Sequence, residues 1–232
     1  MKIFSSKIIR GASVVIETAD VRDIGRLAEM YRSVNINKSN YKLRFDPKNK
    51  QNFRNSGGIF NALSETDIAK ILSDDDSCIL TAKHNGKIIG LLWFSQSDPS
   101  FLNSGFNDEN AINFRDVVVA GAGNLKRISH LLLYEAITIS ELSGYERSLS
   151  EIYKVMYYDD GYRNDIGMLN ERSFNSALSA GGRLIGELSP KIVSICSDLK
   201  IGVLSQVLVF EHKAAIKIIR EKIGELYDEE IY

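Results

Sequence analysis

Between Val117 and Ser129 a run of valines breaks at Gly121-Ala122-Gly123 and gives way to Asn124, Leu125, Lys126, Arg127 and Ile128. The valines read as a buried strand and the residues after the glycines as the start of a helix. A helix N-terminus presents unpaired N–H groups and a partial positive charge, which suits a phosphate. Glycines ahead of it let a ligand approach the backbone. Lys126 and Arg127 add positive charge in the first turn, which the helix dipole disfavours unless an anion offsets it. The competing reading is an ordinary strand-to-helix turn with a solvated basic pair. Just before the valines, Asp116 lies in an apolar strand, on a face shared with Ile112, Phe114 and Val118. An unpaired carboxylate is costly to bury, so Asp116 is either functional or neutralised, with Arg10 or Arg163 as salt-bridge partners. Tyr157, Tyr158 and Tyr162 precede a helix that opens at Asn170. They are packing residues with a wet hydroxyl or else proton donors. His130 titrates near neutrality and falls on a solvated helix face.

Other chemistries find no support. Nothing resembles a Ser-His-Asp or Cys-His nucleophile set. Cys78 and Cys196 are too few and too far apart for a disulfide framework or a zinc site. His84, His130 and His212 lack metal-ligand spacing, so no metal is expected. The formal net charge of −1 gives no general reason to expect nucleic acid or an anionic membrane. The longest apolar runs, such as Val203–Phe210, are strand-length rather than membrane-spanning. The N-terminus is basic but lacks the long apolar segment of a secretory signal. With 44% hydrophobic and 25% charged residues, the chain reads as a soluble globular protein, and the cytoplasm is the default compartment.

The elements that must position these residues follow from periodicity. Ala12–Thr18 is a β-branched first strand. Asp20 caps a helix over Val21–Val34 with Ile24, Leu27, Ala28 and Tyr31 on one face. Asn35–Gly58 is polar and basic and reads as an irregular insertion, extending to residue 75. Its lysines and arginines suit an acidic acceptor or an acyl-phosphate group, or are simply solvated. Ser64 and Asp67 form a capping pair for a helix to Leu72. Asn85-Gly86 between two apolar runs predicts a hairpin. Ala111–Val119 is a central strand, and a helix spans about Asn124–Leu142. Glu151–Tyr158 is a strand and Asp159–Asn164 a loop. Arg183–Ser189 and Val203–Phe210 form an antiparallel pair joined by a longer loop. A C-terminal helix over Ala214–Tyr227, within residues 212–228, points Ile216, Ile219, Ile223 and Leu226 inward. The order predicts a mixed α/β (α+β) fold whose largely antiparallel central sheet is flanked by helices, in one domain over residues 1–232.

The stretch Asn170–Glu187 is the most specific piece of text. Asn170 is suited to cap a helix. Phe174, Ala177 and Leu178 face a core, and Gly181 supplies a left-handed C-terminal turn. This stretch resembles the last helix and following strand of the GNAT acyltransferase superfamily, written N-x-x-A-x-x-x-Y-x-x-x-G-F. Asn170, Ser173 and Gly181 fall on its Asn, Ala and Gly. Ala177 replaces the Tyr that often serves as general acid, and Gly182 replaces the Phe. The family's second signature, Gln/Arg-x-x-Gly-x-Gly/Ala before a Leu-Leu, aligns with Gly123–Ile128 before Leu131-Leu132-Leu133. Lys126 and Ile128 stand in place of its glycines.

The resemblance implies an N-acyltransferase that moves an acyl group from acetyl-CoA or another acyl-CoA to a small-molecule or peptide amine. A carrier-protein donor and a homodimer are compatible with it. It implies that Val117, Val118 and Val119 contact the pantetheine arm. The backbone from Gly123 through Asn124, Leu125, Lys126, Arg127 and Ile128 to Ser129 would hold the pyrophosphate. Asn170 and Ser173 would flank the thiol end, although a plain helix cap explains Asn170 as well. Such a transfer needs a base for the amine proton and an acid for the leaving thiolate. Asp116 is the candidate base, and Tyr157 and Tyr162 are candidates for the missing acid. The rival readings are a non-catalytic acyl-CoA or small-ligand module on the same fold, and an unrelated α/β subunit held by its C-terminal helix.

Overall fold

The computed structural model describes residues 3–9, 12–37, 39–46, 48, 53–96, 101, 104–106, 108, 110–120, 125, 127–159, 163–224, 227 and 228. In chain order the elements are β1 (Ile3–Ile9), β2 (Ala12–Thr18), α1 (Ile24–Val34), α2 (Tyr41–Phe45), α3 (Phe53–Ser56), α4 (Glu65–Leu72), β3 (Ser77–His84), β4 (Lys87–Ser95) and β5 (Ala111–Val119). They continue with α5 (Ile128–Leu142), β6 (Arg147–Asp159), β7 (Arg163–Leu169), α6 (Glu171–Ser179), β8 (Arg183–Glu187), β9 (Lys191–Cys196), β10 (Leu199–Glu211), α7 (His212–Gly224) and β11 (Tyr227–Asp228). All strands belong to one sheet of order β11-β1-β2-β3-β4-β5-β6-β10-β8, with β7 added to β6 and β9 to β10. The fold is thus mixed α/β with a largely antiparallel sheet between helices. Among the described strands only β5 and β6 run parallel, and α5 makes the crossover between them.

Local chemistry sets the element ends. Asp20 and Asp23 form a reciprocal capping box ahead of α1, and Ser64 and Asp67 form the one ahead of α4. Asn85 (φ 50°) and Gly86 (φ 71°) turn β3 into β4, as the Asn-Gly pair predicts. Gly181 takes φ 89° after α6, and a side chain there would also meet the Cα of Ala215 at 3.1 Å. That glycine therefore ends one helix and lets α7 lie close.

Alternation along the strands splits the core into layers. One face, with Leu80, Leu92, Phe94, Ile112 and Phe114, packs under α5 and α7. The other, with Ile79, Leu91 and Val118, packs under α1 and α4. On α7, Ala215, Ile219 and Ile223 are buried and Ile216 is partly buried, while Leu226 lies outside the described residues. On α6, Ala177 is buried and Phe174 partly so, but Leu178 is 41% exposed rather than core-facing.

Four strands depart from the sequence reading, one of them β11, which takes Tyr227 from the expected end of the C-terminal helix. β1 precedes the expected first strand, β7 returns along β6 where the reading continues from a loop into the Asn170 helix, and β9 occupies the longer loop before β10. β1, β7 and β9 each pair antiparallel with the strand next to them in the chain, β2, β6 and β10, whereas β11 pairs with β1. α5 starts at Ile128 rather than Asn124, because Arg127 adopts a left-handed backbone (φ 62°) at the cap position. The stretch expected to be irregular between Asn35 and Gly58 contains α2 and α3. Their Tyr41, Phe45 and Phe53 join Phe60 in a second core against Val155, Met168, Leu199, Ile201 and Val203. The Phe45–Phe53 and Phe53–Phe60 ring centroids lie 5.6 and 5.8 Å apart. Tyr41 and Phe45 share one face of the short α2, and with Phe53 and Phe60 they cover residues of β6, β7 and β10.

A buried ionic group ties β2, β3 and the turn before α1. Lys83 on β3 pairs with Glu17 and, at 2.9 Å, with Asp23, and both carboxylates are nearly inaccessible. Removing one partner of such a group leaves uncompensated buried charge. Lys83→Met is expected to cost about 3–5 kcal/mol in chemical denaturation. A loss below about 1 kcal/mol, the range of exposed pairs, would show that the carboxylates are effectively solvated.

Candidate active site

The site forms where the two parallel strands separate. β5 and β6 share only four residue pairs, from Ala111–Arg147 to Phe114–Ser150. Past that point β5 stays on β4, while the same edge of β6 pairs with β7 from Lys154–Leu169 to Asp159–Arg163. Among the described residues, no strand covers the open edge of β5 from Arg115 to Val119. Val117 on this edge is 40% exposed, although it belongs to a central strand. Val118 is buried and Val119 partly buried. Openings at the carboxyl ends of parallel strands are common ligand sites.

A bulge aims the acid. Phe94 pairs with Phe114 but Trp93 pairs with Asp116, which leaves Arg115 as the extra residue. One extra residue exchanges the faces of everything after it. Asp116 and Val118 therefore turn to the α1 side, opposite Ile112 and Phe114, which corrects the shared face expected from strict alternation. Arg10 and the Arg163 side chain, expected as ion-pair partners, lie outside what is described. Instead, the fully buried Tyr31 of α1 donates its hydroxyl to Asp116 Oδ2 at 3.1 Å. Burial raises the Asp116 carboxyl above the usual carboxylate range, against lowering by the Tyr31 hydrogen bond and the Arg115 charge. The Arg115 guanidinium lies over the Trp93 ring, 5.2 Å from its centroid.

The opposite wall comes from β6 and β9. Tyr153 packs on Phe60 with centroids 5.7 Å apart, and Lys191 Nζ lies 4.9 Å from its ring centre. Lys191 also pairs with Glu151 at 3.0 Å. Burial raises the Tyr153 phenol, Lys191 opposes the rise, and Glu151 and Asp116 add to it. Sequence reasoning missed Tyr153, and its only signal was a place on the same strand as the tyrosines it named. Tyr157 packs over Gly202 of β10, where a Cβ would come within 2.4 Å of its ring. Tyr162 lies outside the described residues, as do Gly123, Asn124 and Lys126.

The helix ends close the site. Asn170 donates its N–H to Tyr153 O at 3.0 Å, and its side chain caps Ser173 N at 3.1 Å. It rests on Gly57 (φ 66°), where a Cβ would sit 3.2 Å from the Asn170 Oδ1. Arg54 of α3 pairs with Glu171 at 3.0 Å. The start of α5 meets α6 through Ser129–Ser176 (3.2 Å) and His130–Ser179 (2.8 Å). Arg127 donates to the Lys222 carbonyl of α7, and Leu125 and Ile128 join the α5 core. His130 is buried, not solvated, and burial with the nearby Arg127 and Lys222 charges lowers it to about 4.

The comparisons bear on this arrangement. No protein-family model and no curated protein matches the sequence. Solved structures do. An N-acetyltransferase from Staphylococcus aureus is 14% identical, with 84% of this chain and 96% of that chain covered at a TM-score of 0.51. The PaiA N-acetyltransferase of Thermoplasma acidophilum, solved with coenzyme A, is 12% identical over 85% and 98% at 0.53. The GNAT domain of S. lividans PAT is 16% identical over 88% and 94% at 0.52. The chain has the GNAT fold. Within this fold Asp116 lies on the open stretch of β5, held from the α1 layer by Tyr31, and the first turn of α5 follows the end of β5.

His130 makes a pH prediction. Its neutral form is favoured in the fold and its charged form is unopposed in the unfolded chain. That contribution is complete above about pH 6.5 and is lost as pH falls towards 4, by up to about 3 kcal/mol. His130→Gln should flatten the fall in unfolding free energy between those pH values. An unchanged slope would overturn the assignment.

Proposed function

We propose that the chain is an N-acyltransferase working in the opening between β5 and β6. The donor is acetyl-CoA or another acyl thioester, and the acceptor is an amine of a small molecule or peptide. The observation that carries this reading is the uncovered β5 edge with Asp116 aimed beside it. The residues fit the coenzyme: Val117 is exposed on that edge, and the first N–H groups of α5 have no intrahelical partner. Arg127 holds a left-handed backbone at the cap, and such strained positions cluster where ligands are held. Val117, Val118 and Val119 would hold the pantetheine arm, and Gly123, Asn124, Leu125, Lys126, Arg127, Ile128 and Ser129 the pyrophosphate. Asn170 and Ser173 would stand at the thiol end. When bound, the coenzyme supplies an activated thioester carbonyl.

The chain's own residues then manage protons. Asp116 takes the proton of the attacking amine, and its raised carboxyl is better matched to that task than an ordinary aspartate. Tyr153 returns a proton to the departing thiolate, the role left open by Ala177. The second reading, a binding module without turnover, rests on that same Ala177, which is buried in the core.

A thermal-shift titration with acetyl-CoA and free CoA, followed by free-thiol release with an amine panel, separates the two. We expect the melting temperature to rise with ligand concentration, and thiol release to follow. Asp116→Asn should keep the shift and lose about 10²-fold or more in kcat/KM. Stabilisation without thiol release would favour the binding module, and no stabilisation by either ligand would sink both coenzyme readings.

A further inference from the structure

We propose that Tyr31 is the positioning residue of Asp116: its hydroxyl holds one carboxyl oxygen from inside the α1 layer and leaves the other to receive the acceptor's proton. This rests on the reading of Asp116 as the base. Tyr31 is fully buried, and its neighbours Leu27, Ala28 and Met30 pack the same layer. A buried hydroxyl needs a partner, and Asp116 Oδ2 at 3.1 Å is that partner. The pairing exists only because the bulge at Arg115 turns Asp116 towards α1. Two otherwise costly features, a bulge in a central strand and a carboxyl among apolar groups, thus serve one orientation. Among the described residues no second hydrogen bond reaches the Asp116 carboxyl, and Asp116 is partly exposed rather than sealed in the core.

The groups around Asp116 make the effect readable. They are Arg115 on its own strand, Tyr31 on α1, and Tyr153 on β6 with Lys191 and Glu151 beyond it. The Tyr31 phenol is pushed well above its ordinary value by burial and by Asp116, so it remains a donor at every working pH. A donor to a carboxylate favours its charged form. Losing that donor therefore moves the Asp116 titration upwards.

The test is Tyr31→Phe, which keeps the ring and removes the hydroxyl. The titration of Asp116 is followed by carbon NMR of the carboxyl-labelled full chain, with Asp116→Asn assigning the resonance. The pH profile of kcat/KM is measured on the same proteins. We expect a folded variant whose Asp116 titration and acidic rate limb both move up by about one pH unit or more, with the acceptor KM nearly unchanged. A titration that stays in place in the folded variant overturns the proposal, as does a rate limb that does not follow it. If Tyr31→Phe does not fold, a fluorinated tyrosine at position 31 tests the same contact with the opposite sign: its more acidic hydroxyl is a stronger donor and should move the Asp116 titration down, and a titration that stays in place overturns the proposal. An inactive wild type would instead count against acyl transfer, and the NMR titration would still decide whether Tyr31 governs the carboxyl.

Discussion

Four parallel pairs hold β5 to β6, and the bulge at Arg115 follows directly after them. A parallel pair cannot continue once one strand takes an extra residue and twists away. β5 keeps its antiparallel partner β4, and β6 fills its vacated edge with β7. The result is a crevice at the centre of a continuous sheet, where most sheets are closed. Its walls are strands and hence stiff, as the proposed transfer between two reactants held in register would require.

The same event sorts the layers. Before the bulge, Ile112 and Phe114 belong to the core under α5 and α7. After it, Asp116 and Val118 belong to the layer under α1. The helices respond to this division. α1 supplies Tyr31 to the acid, while α5 starts beyond the end of β5 and packs its apolar residues across the other face. The second aromatic core fixes the far wall, because Phe60 stacks on Tyr153 and Gly57 seats Asn170. A stretch rich in lysine and asparagine thus braces the end of the crevice through its aromatics.

Much of the architecture was legible in the residues. Asn85-Gly86 marks its hairpin because a turn needing two positive φ angles admits few residues. Ala111–Val119 reads as a strand to the residue, and the capping boxes at Asp20 and Ser64 mark helix starts by local hydrogen bonding alone. Asn170 and Gly181 frame α6 for the same local reasons. At the site, Asp116 stood out because a carboxylate in an apolar strand demands an explanation.

What the sequence by itself determined is therefore everything set by neighbours in the chain: turns, caps, strand and helix periods, and the presence of an anomalous acid. Only the tertiary structure decided where that acid points and what it touches. A bulge shifts register by one residue without a composition of its own, so strict alternation assigned Asp116 to the wrong face. Its partner Tyr31 lies 85 positions away, and no local rule couples residues at that distance. The same holds for the aromatics of α2 and α3, whose burial depends on strand ends remote in sequence. Local rules act through backbone geometry over a few residues, whereas the crevice is made by contacts that exist only after the chain has closed on itself.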